Sequence, residues 1–172
     1  RISTHSFLIH LVLEEQIQHL SSEIYNLNIQ TLNPIFKGED ILKLIPQRAP
    51  IVMIDTLYEA DDTSATTGLS ISSDNIFVKD GILQEAALIE HIAQSAAAHA
   101  GYKTFQNNIP PKLGFIGEIK KCKINYLPKV NETLKTEIKI LAEALGITLI
   151  SAQTYSNETL VSSCQMKIFI KE

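Results

Sequence analysis

The residues equipped for acid–base chemistry cluster in one stretch, Gly81 to Tyr102, which reads GILQEAALIEHIAQSAAAHAGY. From Glu90 onward it sets Glu90, His91, Gln94 and His99 among alanines and Ile92. A carboxylate in apolar surroundings is costly unless paired, so Glu90 is either hydrogen-bonded or functional. Burial favours the protonated acid, the form that gives a proton to a leaving hydroxyl. Gln94 lies one turn further along the same helical face, where its amide orients Glu90 or a substrate carbonyl. The competing reading of this pair is a buried polar couple that satisfies backbone groups, or each other, across a subunit interface. His91 stands roughly 100° round the helix from Glu90, and His99 roughly opposite it. Of the two, His91 is the better placed to act as a base, although a structural histidine is the plainer reading. Ser95 lacks any GxSxG context for a nucleophile, and Glu85 suits the positive end of the helix dipole.

What must position these groups is a helix, because Ala, Leu, Ile, Glu and Gln dominate the stretch and Gly101 offers a C-cap. Its apolar residues go nearly all the way round, which is the mark of an enclosed helix. Around it the chain reads as strands. Ile51 to Glu59 is apolar and β-branched, and Thr63 to Ser72 alternates with Ala65, Thr67, Leu69 and Ile71 on one side. After the helix come Leu113 to Tyr126, Thr133 to Leu141, Ile147 to Tyr155 and Leu160 to Ile170, separated by turn residues such as Gly146 and Asn157. Asn28 to Gly38 reads as a linker into a short helix, Glu39 to Leu44. Before it, Ile9, Leu13, Ile17, Leu20, Ile24 and Leu27 form the stripe of an amphipathic helix over residues 5–27.

Long strands joined by tight turns pair antiparallel, and an enclosed helix needs a sheet that curves about it. The expected class is therefore α+β with the hotdog fold, a curved antiparallel sheet wrapped around one long central helix. Residues 39–172 form that single domain, and residues 1–38 are a helical extension and linker.

Composition sets the outer bounds. A net charge of -4 over 172 residues argues against nucleic acid, which calls for a clustered basic surface. Cys122 and Cys164 are its only cysteines, too few for a disulfide framework or a zinc site, and no metal or cofactor motif is present. No apolar run approaches the ~20 residues needed to cross a bilayer. The expected setting is the cytoplasm, with no membrane partner. Lys120, Lys121 and Lys123 are either a solvated sheet edge or a landing site for an acidic protein.

Three motifs in order carry a family resemblance. The run from Leu44 to Asp55, LIPQRAPIVMID, resembles the LPHRxPFLLVD opening of 3-hydroxyacyl-acyl carrier protein dehydratases. Leu88 to Gln94, LIEHIAQ, is similar to their helix signature L-x-E-A-M-A-Q, and GFIGEIKKCKI followed by LPKVNETL is similar to the strand and turn that follow. The resemblance implies a hotdog dimer with sites at its interface, where the helix carboxylate works with a loop histidine of the other subunit on a 3-hydroxyacyl thioester. It assigns catalysis to Glu90 and substrate positioning to Gln94 and Gly81, while His91 stays the candidate for a displaced base on its helix position alone. The implied partners are an acyl carrier protein or coenzyme A thioester and a second hotdog chain. That second chain is either a copy of this one or a histidine-bearing homologue.

The departure is the loop itself. Counted back from Glu90, the family's GHFP falls on Asn75-Ile76-Phe77-Val78, so isoleucine stands at the histidine position and Gly81 is the one glycine nearby. An isoleucine cannot take a proton. Three functions compete: a dehydratase, a hotdog acyl-thioesterase that needs no histidine, and a non-catalytic subunit that binds acyl carriers.

Overall fold

The computed structural model describes residues 33–170, together with 16, 17 and 20. The helix expected over residues 5–27 lies, those three residues apart, outside the described residues. The chain divides into two units, Arg1–Asn33 and Pro34–Glu172, and the elements below belong to the second.

The element order is β1 (Phe36–Lys37), a 3-10 helix (Gly38–Lys43), β2 (Thr56–Ala60), β3 (Ser64–Ser70), β4 (Val78–Lys79), β5 (Ile82–Leu83), the helix α1 (Glu85–Phe105), then β6 (Gly114–Ile124), β7 (Thr133–Ala144), β8 (Ile147–Ser156) and β9 (Thr159–Ile170). Seven strands make one sheet in the order β1-β2-β3-β7-β8-β9-β6, and every pair in it is antiparallel. The sheet with its one central helix is the hotdog architecture. Alternation places Ala65, Thr67 and Leu69 of β3 inward, with Leu134, Thr136 and Ile138 of β7 beside them, all buried. Leu88 and Ile92 of α1 are fully buried, and α1 packs on β2, β3, β7 and β8.

Three boundaries differ from the sequence reading, each for a local reason. Phe36 and Lys37 are strand rather than linker, because they pair with Leu57 and Thr56 at the sheet edge. Phe36 also packs edge-on against Tyr102 and Phe105 at the C-terminal end of α1. Gly81 precedes the helix. Asp80 and Gly81 both have positive φ (53° and 75°), the signature of the two-residue turn that joins β4 to β5. Gly101 does not stop the helix, which runs on to Phe105. It is buried because a Cβ there would sit 1.8 Å from the Leu44 carbonyl oxygen, so its small size allows the backbone of the 3-10 segment to touch the helix.

The strand expected from Ile51 to Glu59 begins only at Thr56. Residues 52–55 join no ladder; Asp55 bonds Gly68 and Gly38, while helix side chains take backbone groups of Ile51 and Met53.

The close approach at residue 101 gives a test of this packing. Gly101→Ala must push backbone against backbone, an overpacking cost of about 1–3 kcal/mol or more. Gly81→Ala meets no atom within 4 Å and pays only for its positive φ, about 1 kcal/mol. Urea unfolding should therefore rank Gly101→Ala as the more damaging. A Gly101→Ala protein within about 0.5 kcal/mol of wild type would contradict the contact.

Candidate active site

Gln94 sits at the centre of the site. It is fully buried on α1, and its three hydrogen bonds account for both ends of its amide. The Met53 N–H donates to its Oε1 at 2.7 Å, which fixes the amide orientation. Its Nε2 then donates to the Ile51 carbonyl and to Glu90 Oε1, each at 2.7 Å. Gln94 therefore orients Glu90 and pins residues 51–53, and both of its amide hydrogens are committed to protein acceptors. The segment after Pro50 is held by this side chain in place of a strand partner.

Glu90 is half-buried one turn earlier. Among the described residues no hydrogen bond engages its Oε2. Glu90 lines a cavity of about 440 Å³, within the range of small-ligand sites. One wall is the face of α1 carrying Ala93, Ala96, Ala97 and Ala100; the others come from β6, β7, β8 and β9 with Phe115, Ile140 and Ile168. The alanines create the space: larger side chains at those positions would fill it. Gln47, from the opening motif, also faces the cavity.

His91 lies elsewhere. It is fully buried beneath the sheet and is absent from the cavity wall. Its Nδ1 lies 2.6 Å from the Met53 carbonyl and its Nε2 2.8 Å from Thr136 Oγ1. A carbonyl only accepts, so Nδ1 carries the hydrogen and Nε2 accepts from the threonine. Burial pushes the His91 pKa down to about 4, against the opposing effects of the Met53 carbonyl and the Asp55 charge. Thr136 in turn bonds Thr154 at 2.8 Å, and Ser95 bridges Thr67 (2.6 Å) and the His91 carbonyl (2.7 Å). Thr67, Thr136, Thr154 and Ser162 are register partners across β3, β7, β8 and β9, so a row of inward hydroxyls crosses the sheet beneath α1.

His99 does reach the cavity, at its other edge. The angular separation from Glu90 holds, but the groove spans the arc between them. His99 Nε2 donates to the Asp61 carbonyl at 2.8 Å, and burial lowers its pKa. Gly81 is exposed in its hairpin turn and is not part of the cavity wall. Ile76, at the position expected for the loop histidine, is 52% exposed. The sequence reading had no sign of Thr136 and Thr154 as partners of His91. The one signal available was threonine at inward positions of alternating strands, where an aliphatic residue is the default. Among the described residues there is no cluster of side chains suited to a metal ion.

A family model described as ApeP-like, ApeP dehydratase, matches residues 39–172. The chain belongs to the ApeP-like dehydratase family. Curated relatives of this family member include the 3-hydroxyacyl-[acyl-carrier-protein] dehydratase FabZ of Desulfotalea psychrophila, 24% identical over 132 residues that cover 73% of this chain and 87% of the relative. FabZ of Halalkalibacterium halodurans is 25% identical over 135 residues, 72% of this chain and 94% of the relative. Among solved structures, the dehydratase heterocomplex ApeI:P from Xenorhabdus doucetiae superposes with a TM-score of 0.72 at 15% identity, covering 77% of this chain and 91% of that one. A hypothetical thioesterase with coenzyme A from Streptococcus pneumoniae shares the fold at a TM-score of 0.54 and 9% identity, covering 67% and 84%.

The neutral, buried His91 makes stability depend on pH. Its folded pKa lies below the unfolded value, so its contribution is complete above about pH 6.5. That contribution is lost as pH falls towards about 4, an effect of about 3 kcal/mol when complete. His99 adds in the same direction. Urea midpoints measured between about pH 7 and pH 4 should fall steeply in wild type and less in His91→Asn. Equal slopes in the two proteins would contradict the buried neutral ring.

Proposed function

We propose that this chain supplies the proton donor of a composite site that dehydrates 3-hydroxyacyl thioesters. The observation that carries the reading is Glu90, with Oε1 held by Gln94, on the wall of a cavity built from alanines. In the reaction a base removes the C2 proton and the C–O bond at C3 breaks. Glu90 gives its proton to the departing hydroxyl, which leaves as water, and an enoyl thioester remains. The cavity takes the acyl chain along the alanine face. His91 has both ring nitrogens engaged inside the core and Ile76 has no basic group, so the base comes from a second hotdog chain.

The edge strand β6 supports such a partner. It is eleven residues long, no strand among the described residues pairs with its outer edge, and Phe115, Ile116 and Ile119 on it are each more than a third exposed. A long apolar edge is normally covered. A histidine-bearing homologue fits the missing base better than a second identical copy does, and the related ApeI:P assembly is a heterocomplex of dehydratases. For the thioester carrier, Lys120 and Lys167 both pair with Glu118 at 3.1 and 2.7 Å, while Lys121 and Lys123 are exposed beside them. This basic patch suits an acidic acyl carrier protein. The thioesterase reading retains one observation in its favour, a cavity carboxylate that needs no histidine.

Assay of 3-hydroxyacyl thioesters with the chain alone, with a histidine-bearing homologue, and with the Glu90→Gln chain in that mixture tests the reading. The expected result is enoyl product only in the mixture, with kcat lowered by about 10²–10⁴-fold by Glu90→Gln. Turnover by the chain alone at ordinary rates, about 10 s⁻¹, would overturn the need for a partner. Free thiol from saturated acyl thioesters, with no enoyl product, would establish the thioesterase instead.

A further inference from the structure

His91 is spent on structure, but the structure it serves leads to Glu90. Thr154 and Thr136 are register partners on β8 and β7, both fully buried, with hydroxyls 2.8 Å apart. Nδ1 of His91 must donate to the Met53 carbonyl, so Nε2 is a lone pair and Thr136 donates to it. The Thr136 oxygen then accepts from Thr154. On the other side of the same residue, the Met53 N–H donates to Gln94 Oε1, and Gln94 Nε2 donates to Glu90 Oε1. Every donor in the line points the same way: Thr154 to Thr136, to His91, to the Met53 carbonyl, then from the Met53 N–H to Gln94 and on to Glu90. The carbonyl and N–H of Met53 belong to different peptide planes, so coupling across that residue is positional. His91 holds one side of the residue and Gln94 reads the other.

We propose that His91 is a positioning residue for Glu90: through Met53 and Gln94 it keeps Oε1 an acceptor and leaves Oε2 as the oxygen that bears the transferable proton. The inference rests on the reading of Glu90 as proton donor. It explains why a histidine occupies a position with no view of the cavity. Leucine would fill the same volume but leave the Met53 carbonyl without its donor and the Thr136 hydroxyl hydrogen without its acceptor in a buried site, and residues 51–53 free to shift. A shift of about 1 Å at a reacting group is enough to cost about 100-fold in rate.

The test compares His91→Asn, whose amide N–H replaces Nδ1 towards Met53, with His91→Leu, which replaces neither nitrogen. Exchange of the Met53 amide and of the Gln94 side-chain amide protons, followed by NMR in the full chain, reads the relay without any activity. Opening of these bonds should speed exchange about 10-fold or more in His91→Leu and about 3-fold or less in His91→Asn. In the mixture with the homologue, kcat should fall about 10-fold or more in His91→Leu, with KM nearly unchanged, and recover most of the loss in His91→Asn. Unchanged exchange at Met53 and Gln94 in His91→Leu overturns the relay, and faster exchange with unchanged kcat overturns its catalytic role. Should His91→Leu fail to fold, the isosteric Thr136→Val carries the test, and unaltered Met53 exchange there overturns the relay equally. Turnover untouched by Glu90→Gln overturns the reading of Glu90 itself, whatever the exchange shows, so the two failures are separable.

Discussion

The grip of one helix on the backbone of residues 51–53 is the interaction on which the remaining structure depends. A helix enclosed by a sheet cannot leave polar groups on its inner face unpaired, since each unsatisfied group costs about 1–3 kcal/mol. Equally, residues 51–53 are in no strand, so no sheet ladder takes the Ile51 carbonyl or the Met53 N–H and carbonyl groups. Gln94 and His91 meet both needs at once. Three backbone groups, the Ile51 carbonyl and the Met53 N–H and carbonyl, are the partners of two helix side chains. Remove either side chain and two sets of buried groups lose partners together, so the cost of each falls on the whole junction rather than on one bond.

The same grip explains how one helix is buried in the core and lines a cavity at once. Its inner face, with Leu88, His91, Ile92, Ser95 and Ala98, is sealed by the sheet and by the row of threonine hydroxyls. Its outer stripe, Ala86, Ile89, Glu90, Ala93, Ala97 and Ala100, is half-buried or exposed. The hydrogen bonds of Gln94 reach from the sealed side to the open one, because Glu90 is its neighbour one turn earlier. A carboxylate can therefore stand at a cavity wall while its orientation is set by groups in the core. Rigid support of this kind is what lets a reactive group avoid reorganising when the reaction occurs.

Much of this was legible in the residues. Strand alternation placed Ala65, Thr67, Leu69 and Ile71 on one face, and all four are buried. The all-round apolar character of the central stretch announced an enclosed helix. The boundaries were less legible, since glycine has more than one use: at Gly81 it serves a turn, and at Gly101 a backbone contact that involves Leu44, far away in sequence. The strand reading of residues 51–55 failed for a similar reason. Apolar, β-branched residues suit any extended buried segment, and only tertiary contacts decide whether its partner is a strand or a helix side chain. The spacing of Glu90 and Gln94 showed that they share a face. It could not show that both Gln94 hydrogens are committed, because one of their acceptors, the Ile51 carbonyl, lies 43 residues earlier in the chain.

What a single chain leaves open is concentrated on one side. Strand β6 is the long edge strand of the sheet among the described residues and is broken by two bulges, after Ile116 and after Lys120. At the first, Gly117 lies under the Phe169 ring, where a Cβ would come within 1.9 Å of the ring edge. At the second, Lys121 adopts a positive φ of 51°. Bulges increase twist and re-aim side chains, and they are devices by which an edge is kept from pairing indiscriminately. Phe115 and Ile116, at the start of that same strand, also line the cavity next to the alanine stripe of α1. The exposed edge strand and the cavity thus share residues. A chain that pairs along β6 would bring its own groups to the rim of the site, and the bulges restrict which strand can do so in register. In the proposed composite site, selection of the partner and completion of the chemistry would be two consequences of one edge.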